Sequence, residues 1–293
     1  MKNHQSLHIP VLLHESIDGL AIKKGDVVID GTFGGGGHSH EFISRFGTSI
    51  TLVSVDLDQA AAMRHKKLLG NTPHAHFVQA NFKEADRIMR DAGISKVDKV
   101  LLDLGTSTFQ LLEDTRGFSF QSDTVLHMAF SQSHTGFTAW NIVNERDESS
   151  IADIIYAYGQ ERASRKIAHA IVESRSTAPI NTSKQLAAVI EGVLPRRGKT
   201  HPATRTFQAL RITVNDELAT ITAALDAWWD KLSVGGRIAV ITFHSLEDRI
   251  VKQWMKSHER VITKKPIAPS RQELQDNPRS RSAKLRIVEK ILI

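Results

Sequence analysis

Four consecutive glycines, Gly34 to Gly37, separate the apolar run Val27-Val28-Ile29 from a helix-like stretch that begins near His38. An acidic pair, Asp56 and Asp58, follows about twenty residues on, after a second apolar run that ends at Val55. Glycines at a strand-to-helix turn let the main chain approach a ligand closely, and an acid at the end of the next strand can accept hydrogen bonds from both hydroxyls of a ribose. The residues that are missing narrow the ligand. A triphosphate cradle needs Lys after its last glycine, where this chain has His38; a dinucleotide fingerprint begun at Gly34 and Gly36 meets Ser39 where its third glycine belongs. A glycine-rich loop with no cation suits an adenosyl ligand without phosphates, and S-adenosyl-L-methionine is the one this pattern favours. A tight structural turn in an unrelated α/β protein is the alternative the glycines leave open. In an open parallel sheet the ligand lies beyond the carboxyl ends of the strands. Gly31 to His38 are therefore expected to wrap the methionine part and ribose, Asp56 to hold the ribose hydroxyls, and Asn81 and Phe82 to border the adenine. Asp103 is expected to face the transferable methyl. The recurrence of an acid at strand ends, Asp30, Asp56 and Asp103, favours a ligand over three unrelated loop anchors.

The elements that must position these residues are legible as alternating periods. Short β-branched runs near 26–30, 50–56, 75–79 and 97–103 alternate with helical patterns near 37–46, 58–69 and 82–92, which predicts a doubly wound parallel sheet. After Asp103 the rhythm gives way to Gly, Ser, Thr, Phe and Gln up to about residue 136, a composition suited to a long functional loop. Helical spacing returns at Ile151, Ile154 and Tyr158 and at Ile167 and Ile171, and Thr182 with Gln185 forms a capping box ahead of Leu186, Val189, Ile190 and Val193. Phe207, Leu210, Val214, Leu218, Ile221, Leu225, Trp228 and Leu232 then step by threes and fours, predicting one long helix ended by Gly235-Gly236. Arg237 to Phe243 reads as a fifth strand, Ser245 as the N-cap of the helix after it with Asp248 three residues on, and Leu285 to Ile293 as a strand antiparallel to one near Val261. The expected fold is α/β, a Rossmann-like methyltransferase sheet with a helical insertion: residues 1–105 and 201–293 as the core, 106–200 as the insertion.

The 293 residues include no cysteine, which removes disulfides, thiolate nucleophiles and cysteine-ligated metal centres. The histidines form no His-Glu-x-x-His helix, and no metal is expected. No apolar run approaches the roughly 18 residues of a membrane span, and the start, with His4, His8, His14 and Glu15, lacks a signal peptide's layout, so a cytoplasmic protein with no membrane partner is expected. A net charge of +6 invites a polyanionic partner. Arg196, Arg197, Lys199, His201, Arg205 and Arg211 form one candidate phosphate-contacting stretch and Arg279, Arg281, Lys284 and Arg286 a second; solvated faces and helix ends produce such runs as well. Phe118 and Phe120 could stack on bases or pack their loop against the core, with packing favoured, and a structural role is favoured for His201 and His244.

Seven segments, in order, carry a resemblance to a known family: His8 to Leu13, Ile29 to Ser39, Leu101 to Gly105, Arg116 to Phe120, His201 to Arg211, Phe243 to Arg249 and Asn277 to Ser282. Together they resemble the MraW/RsmH family over about residues 7 to 290. The resemblance implies an enzyme that moves a methyl from S-adenosyl-L-methionine to the N4 amine of a decoding-centre cytosine in 16S ribosomal RNA, within the 30S subunit, with homodimerisation left open. It implies cofactor contacts at Gly36, Gly37, His38, Asp56, Phe82, Asp103 and Gln110, and the helical insertion, 106–200, as the RNA-recognition domain. Asp103 is the candidate catalytic residue, accepting hydrogen bonds from the amine, or else a salt-bridge partner of the cofactor's amino group. The chain departs from the family pattern at Thr106 to Gln110 and at Thr124 to Ser131, where two acids and an arginine are replaced. That departure supports the alternative of a non-catalytic or altered-specificity ribosome-assembly binder. A small-molecule methyltransferase is disfavoured by the basic stretches, and a nicotinamide oxidoreductase by Ser39.

Overall fold

The computed structural model describes residues 10–106, 115–131, 136–196, 200–258 and 260–292. After α1 (Leu13–Leu20), the first half of the sheet unit follows the predicted alternation closely: β1 (Val27–Asp30), α2 (Gly37–Phe46), β2 (Thr51–Asp56), α3 (Gln59–Leu69), β3 (Ala75–Gln79), α4 (Ala85–Asp91) and β4 (Val97–Asp103). All four residues of β1 are buried, as expected of a strand covered on both faces. Asp58 caps α3 by accepting from the Ala60 N–H at 3.1 Å.

Residues 109–217 form a unit of their own. Its helices are α5 (Ala139–Glu145), α6 (Glu148–Gly159), α7 (Ser164–Thr177), α8 (Ser183–Val193) and α9 (Thr204–Asn215). Ile142, Ile151, Ile155, Ile167, Ile171, Leu186, Ile190, Phe207 and Leu210 build one apolar centre. The Thr182–Gln185 capping box is present and starts α8.

The single long helix expected over 207–232 is two helices. α9 stops at Asp216, whose φ of 47° lies in the left-handed region that Asp tolerates better than most residues. α10 (Glu217–Lys231) then restarts the same spacing. The unbroken three-four rhythm hides the break because its two halves serve different cores: Phe207 and Leu210 pack in the helical unit, Ile221, Leu225 and Trp228 in the sheet unit. For the same reason the boundary expected at 200/201 falls at 217/218.

The chain completes the sheet with β5 (Leu232–Thr242), α11 (Ser245–Lys256), β6 (Arg260–Val261), α12 (Arg271–Asp276) and β7 (Lys284–Glu289), in the order β3-β2-β1-β4-β5-β7-β6. Strands β1 to β5 are parallel, whereas β7 runs antiparallel between β5 and β6, as the alternation near the end of the sequence predicts. Gly235-Gly236 does not end a helix; the two glycines lie in β5, where its register against β4 shifts, and Gly235 has φ 79°. Alternate residues of each strand feed opposite faces: Ile29 and Leu102 join Trp228 and Val251 on one, Val28 and Leu101 join Ile17, Phe42 and Ile287 on the other. Trp228 is fully buried and donates its indole N–H to the Phe82 carbonyl at 2.7 Å, which ties α10 to the loop after β3.

Candidate functional site

The sheet order makes β2, β1 and β4 neighbours, so Asp56, Asp30 and Asp103 end three adjacent strands at one edge. Asp30 lies opposite Ser54 and Leu101, so it sits two residues deeper than the other two acids. The chain beyond Asp30 stays wedged between its neighbours: Gly31 N–H donates to Leu101 O and Phe33 N–H to Val55 O, each at 2.9 Å. Thr32 joins this wedge to β4, its hydroxyl accepting from the Asp103 N–H at 2.6 Å. A Cβ on Gly31 would stand 2.5 Å from Leu102 Cδ2, and one on Gly37 2.2 Å from Pro10 Cγ, so glycine is required there by close packing. Gly36 is the N-cap of α2 with φ 80°.

Beneath this loop runs a buried polar chain. Ser39 Oγ donates to Asp30 Oδ2 at 2.6 Å and lies 2.8 Å from Ser54 Oγ, while Thr32 N–H donates to Asp30 Oδ1 at 3.3 Å. Ser39, read from sequence only as a missing glycine, is therefore the residue that fastens α2 to β1. Burial pushes the Asp30 carboxyl up to about 6 against the opposing hydrogen bonds from Ser39 and Thr32.

Asp56 accepts from Gly34 N–H through Oδ2 and from Asp58 N–H through Oδ1, both at 2.8 Å. Each oxygen keeps a second lone-pair direction, enough for a pair of hydroxyls. Burial raises its pKa, the Asp58 charge adds to that, and the two N–H groups and Arg64 oppose it. Arg64 also fixes the loop by donating to Gly34 O at 3.0 Å. Asp103 is raised well above the carboxylate range, by burial first and then by the charges of Asp30 and Glu247. Its Oδ1 is buried and has no hydrogen-bond partner among the described residues, and its Oδ2 faces His38 Nδ1 at 3.8 Å. Phe82 packs partly buried against the core beside Gly31, and Asn81 accepts from the Lys83 N–H at 3.2 Å. Six of the seven cofactor positions carried over by resemblance, Gly36, Gly37, His38, Asp56, Phe82 and Asp103, thus belong to segments at this one edge; Gln110 lies outside the described residues.

This site fits S-adenosyl-L-methionine. Its three acids, Asp30 buried and Asp56 and Asp103 half-buried, call for a cationic ligand, the glycines admit close main-chain approach, and Asp56 retains acceptors for a ribose.

At the same edge β5 leads into α11, whose N-cap is His244 rather than Ser245. Its capping-box partner is Glu247 rather than Asp248. Glu247 is fully buried and accepts from the Phe243 N–H at 2.7 Å and the His244 N–H at 3.2 Å. Asp248 instead binds Lys284 at 3.0 Å and Arg286 at 2.7 Å. Because Thr242 pairs with Lys284 and β7 is antiparallel, the short helical turn Pro278–Ser282 arrives at this edge with Arg279 and Arg281 exposed.

The other basic candidates belong to the helical unit. Arg196 is exposed, and Arg205 is exposed with Glu161 at 3.4 Å. Arg211 is engaged by Glu217 through two contacts of 2.7 and 2.9 Å, which occupies its fork with a protein carboxylate. His201 pairs with Glu191 at 2.8 Å and stacks on Phe120 at 4.1 Å, while Phe118 is buried against Phe130, so these rings pack the loop. Arg197 and Lys199 lie outside the described residues.

A parallel sheet with this strand order, an antiparallel β7 and a glycine loop beside strand-end acids defines the S-adenosylmethionine-dependent methyltransferase class. Residues 5–291 match the MraW methylase family. Ribosomal RNA small subunit methyltransferase H of Deinococcus radiodurans is 45% identical over 286 residues, covering 97% of this chain and 89% of its own. The protein of the same name in Clostridium botulinum is 42% identical over 306 residues, covering 97% and 99%. Among solved structures, an rRNA methylase from Streptococcus thermophilus aligns over 97% of this chain and 99% of its own, with a TM-score of 0.48 and 13% identity. The chain belongs to the MraW methylase family.

Proposed function

We propose that the protein transfers a methyl group from S-adenosyl-L-methionine to the exocyclic N4 amine of a cytosine in the decoding centre of 16S ribosomal RNA, acting on the 30S subunit. The observation that carries the reading is the edge where Asp30, Asp56 and Asp103 meet the glycine loop, in a chain of this family. Bound there, the cofactor would supply an electrophilic sulfonium methyl. A cytosine amine is a weak nucleophile because its lone pair is delocalised into the ring, so alignment matters more than a strong base. Asp103 Oδ1, buried and without a partner among the described residues, can accept a hydrogen bond from the amine and favour a pyramidal nitrogen. A cation beside Asp103 favours its carboxylate form, the form able to accept. The same oxygen can instead pair with the cofactor's amino group, and Asp103→Asn separates the roles. Loss of cofactor affinity marks the salt bridge; loss of kcat at unchanged affinity marks the amine.

A base stacked in folded RNA must be drawn out, and the exposure of Arg279 and Arg281 at the site edge supports a role for them in holding phosphates beside it. Arg196 and Arg205, exposed on the helical unit, are further candidates for phosphate contact. The 124–131 departure falls on packing positions. Leu126 and Met128 are buried in the helical core, Arg116 donates to Phe130 O at 2.7 Å, and Asn215 bonds both Phe130 N–H and Met128 O at 2.8 Å. That segment is thus held by its own contacts, which favours the enzyme over the non-catalytic binder. The test is mass-spectrometric mapping of cytosine methylation in 16S ribosomal RNA from cells with and without the protein, beside calorimetry with S-adenosylmethionine. An unchanged methylation map, or folded protein that takes up no cofactor, overturns the proposal.

A further inference from the structure

The helical unit carries a basic face that the two sequence stretches do not include. Arg162, Arg165, Lys166 and His169 are all exposed; the spacing of the last three places them on one side of α7, and Arg162 lies in the turn just ahead of its N-cap. The opposite side, Ser164, Ile167, Ala168 and Ile171, is buried in the helical core, so packing fixes which way the cations point. Arg205 joins them at the start of α7, where its guanidinium donates to Gln160 O at 3.3 Å. Among the described residues, Arg162, Arg165 and Lys166 have no acidic partner within ion-pair distance. The nearby acids are Glu161, which faces Arg205, Glu148, whose carboxylate lies 3.2 Å from His169 Nδ1, and Glu173, exposed one turn beyond His169 on the same side of α7.

This placement runs against local stability. The amino-terminal turn of a helix favours acids, yet α7 has none there, and its N-cap, Ala163, supplies no side-chain hydrogen bond. Cations at that end repel the helix dipole and one another unless an external anion lies against them. From Arg162 to His169 the face spans about 10 Å, the rise of about three nucleotides of one strand.

We propose that this face of α7, with Arg205, grips the phosphate backbone of the substrate RNA. The surface rests on the reading that RNA is the substrate and adds to it a second contact region, on the helical unit. Its contacts are to phosphate, so they position the RNA without reading its sequence.

The test uses the full chain with Arg162→Gln, Arg165→Gln and Lys166→Gln together, assayed on 30S subunits for methyl transfer and by fluorescence anisotropy on labelled 16S ribosomal RNA across a salt series. The triple variant should bind RNA about ten-fold or more weakly at moderate salt, with the slope of log affinity against log salt reduced by about 2 to 3. KM for the RNA should rise by a similar factor, while kcat at saturating RNA and cofactor affinity stay unchanged. The charge-preserving variant Arg162→Lys with Arg165→Lys should bind as the parent does, which separates lost charge from lost fold. An unchanged salt slope and KM in the triple variant overturns the surface while leaving the methyl-transfer reading intact. Failure of the parent protein to methylate RNA at all overturns the reading and this surface with it.

Discussion

Replacing Asp30 by Asn should make the cofactor-free protein more stable at neutral and alkaline pH. Asp30 is buried beneath the glycine loop, and its pKa stands at about 6 against an ordinary 3.8. The native state therefore holds a proton that the unfolded chain releases earlier. The resulting stabilisation is fully present below pH 3.8 and is lost as pH rises through about 6. A shift of about 2 units at about 1.4 kcal/mol per unit gives roughly 3 kcal/mol between those limits. Asn keeps the shape, accepts from Thr32 N–H through Oδ1 and donates to Ser39 Oγ through Nδ2, which removes the ionisation and spares the network. Urea unfolding from pH 4 to 8, followed by tryptophan fluorescence, suits the question because Trp228, Trp229 and Trp254 lie in the sheet unit. The parent should lose stability across that range, and Asp30→Asn should match it near pH 4 and exceed it by about 2 to 3 kcal/mol near pH 8. Asp56 and Asp103, both raised, leave the variant a residual slope of the same sign. A variant no more stable than the parent at pH 8 would refute the reasoning.

The same raised acids make cofactor uptake proton-linked: a cationic ligand drives them to ionise, so calorimetry near pH 6 in buffers of different ionisation enthalpy should show net proton release, reduced in Asp30→Asn. Asp56→Ala should weaken S-adenosylmethionine binding by about 10- to 100-fold, from the loss of charge-assisted hydrogen bonds, and equal affinity would remove Asp56 from the site. Gly31→Ala places a Cβ 2.5 Å from Leu102 Cδ2 and should cost about 1 to 3 kcal/mol in thermal unfolding, with no cost if the loop moves freely. Asp216→Gly should be neutral or stabilise by up to about 1 kcal/mol, because it relieves a left-handed residue, whereas in one continuous helix it would destabilise by a similar amount.

Strand ends were the most legible part of the fold. β1, β2 and β4 form where apolar runs stop at an acid, and that pattern is local, so the carboxyl edge with Asp30, Asp56 and Asp103 could be read before any topology was known. Which of these acids became neighbours depended on sheet order, a non-local property. The break at Asp216 was invisible because periodicity reports that a side is buried without saying in which core. The N-cap moved from Ser245 to His244 for a related reason: both residues suit the turn, and the choice was made by Glu247 reaching back to the Phe243 and His244 amides. Charge counts identified basic stretches, but Arg211 and Arg286 spend their guanidinium groups on Glu217 and Asp248, while the α7 face emerged only once the buried side of that helix was known.

Strand β7 lies inside the sheet, between β5 and β6, and brings Lys284 back to Thr242 from 42 residues downstream. Until it arrives, β5 presents an open row of amides and carbonyls, and β6, only two residues long, has nothing to pair with. During synthesis, then, the parallel half of the sheet can assemble early, while its far margin stays a sticky, unfinished edge that closes in one late step. Slow translation or truncation ahead of β7 should accordingly favour aggregation over a stable, partly active fragment.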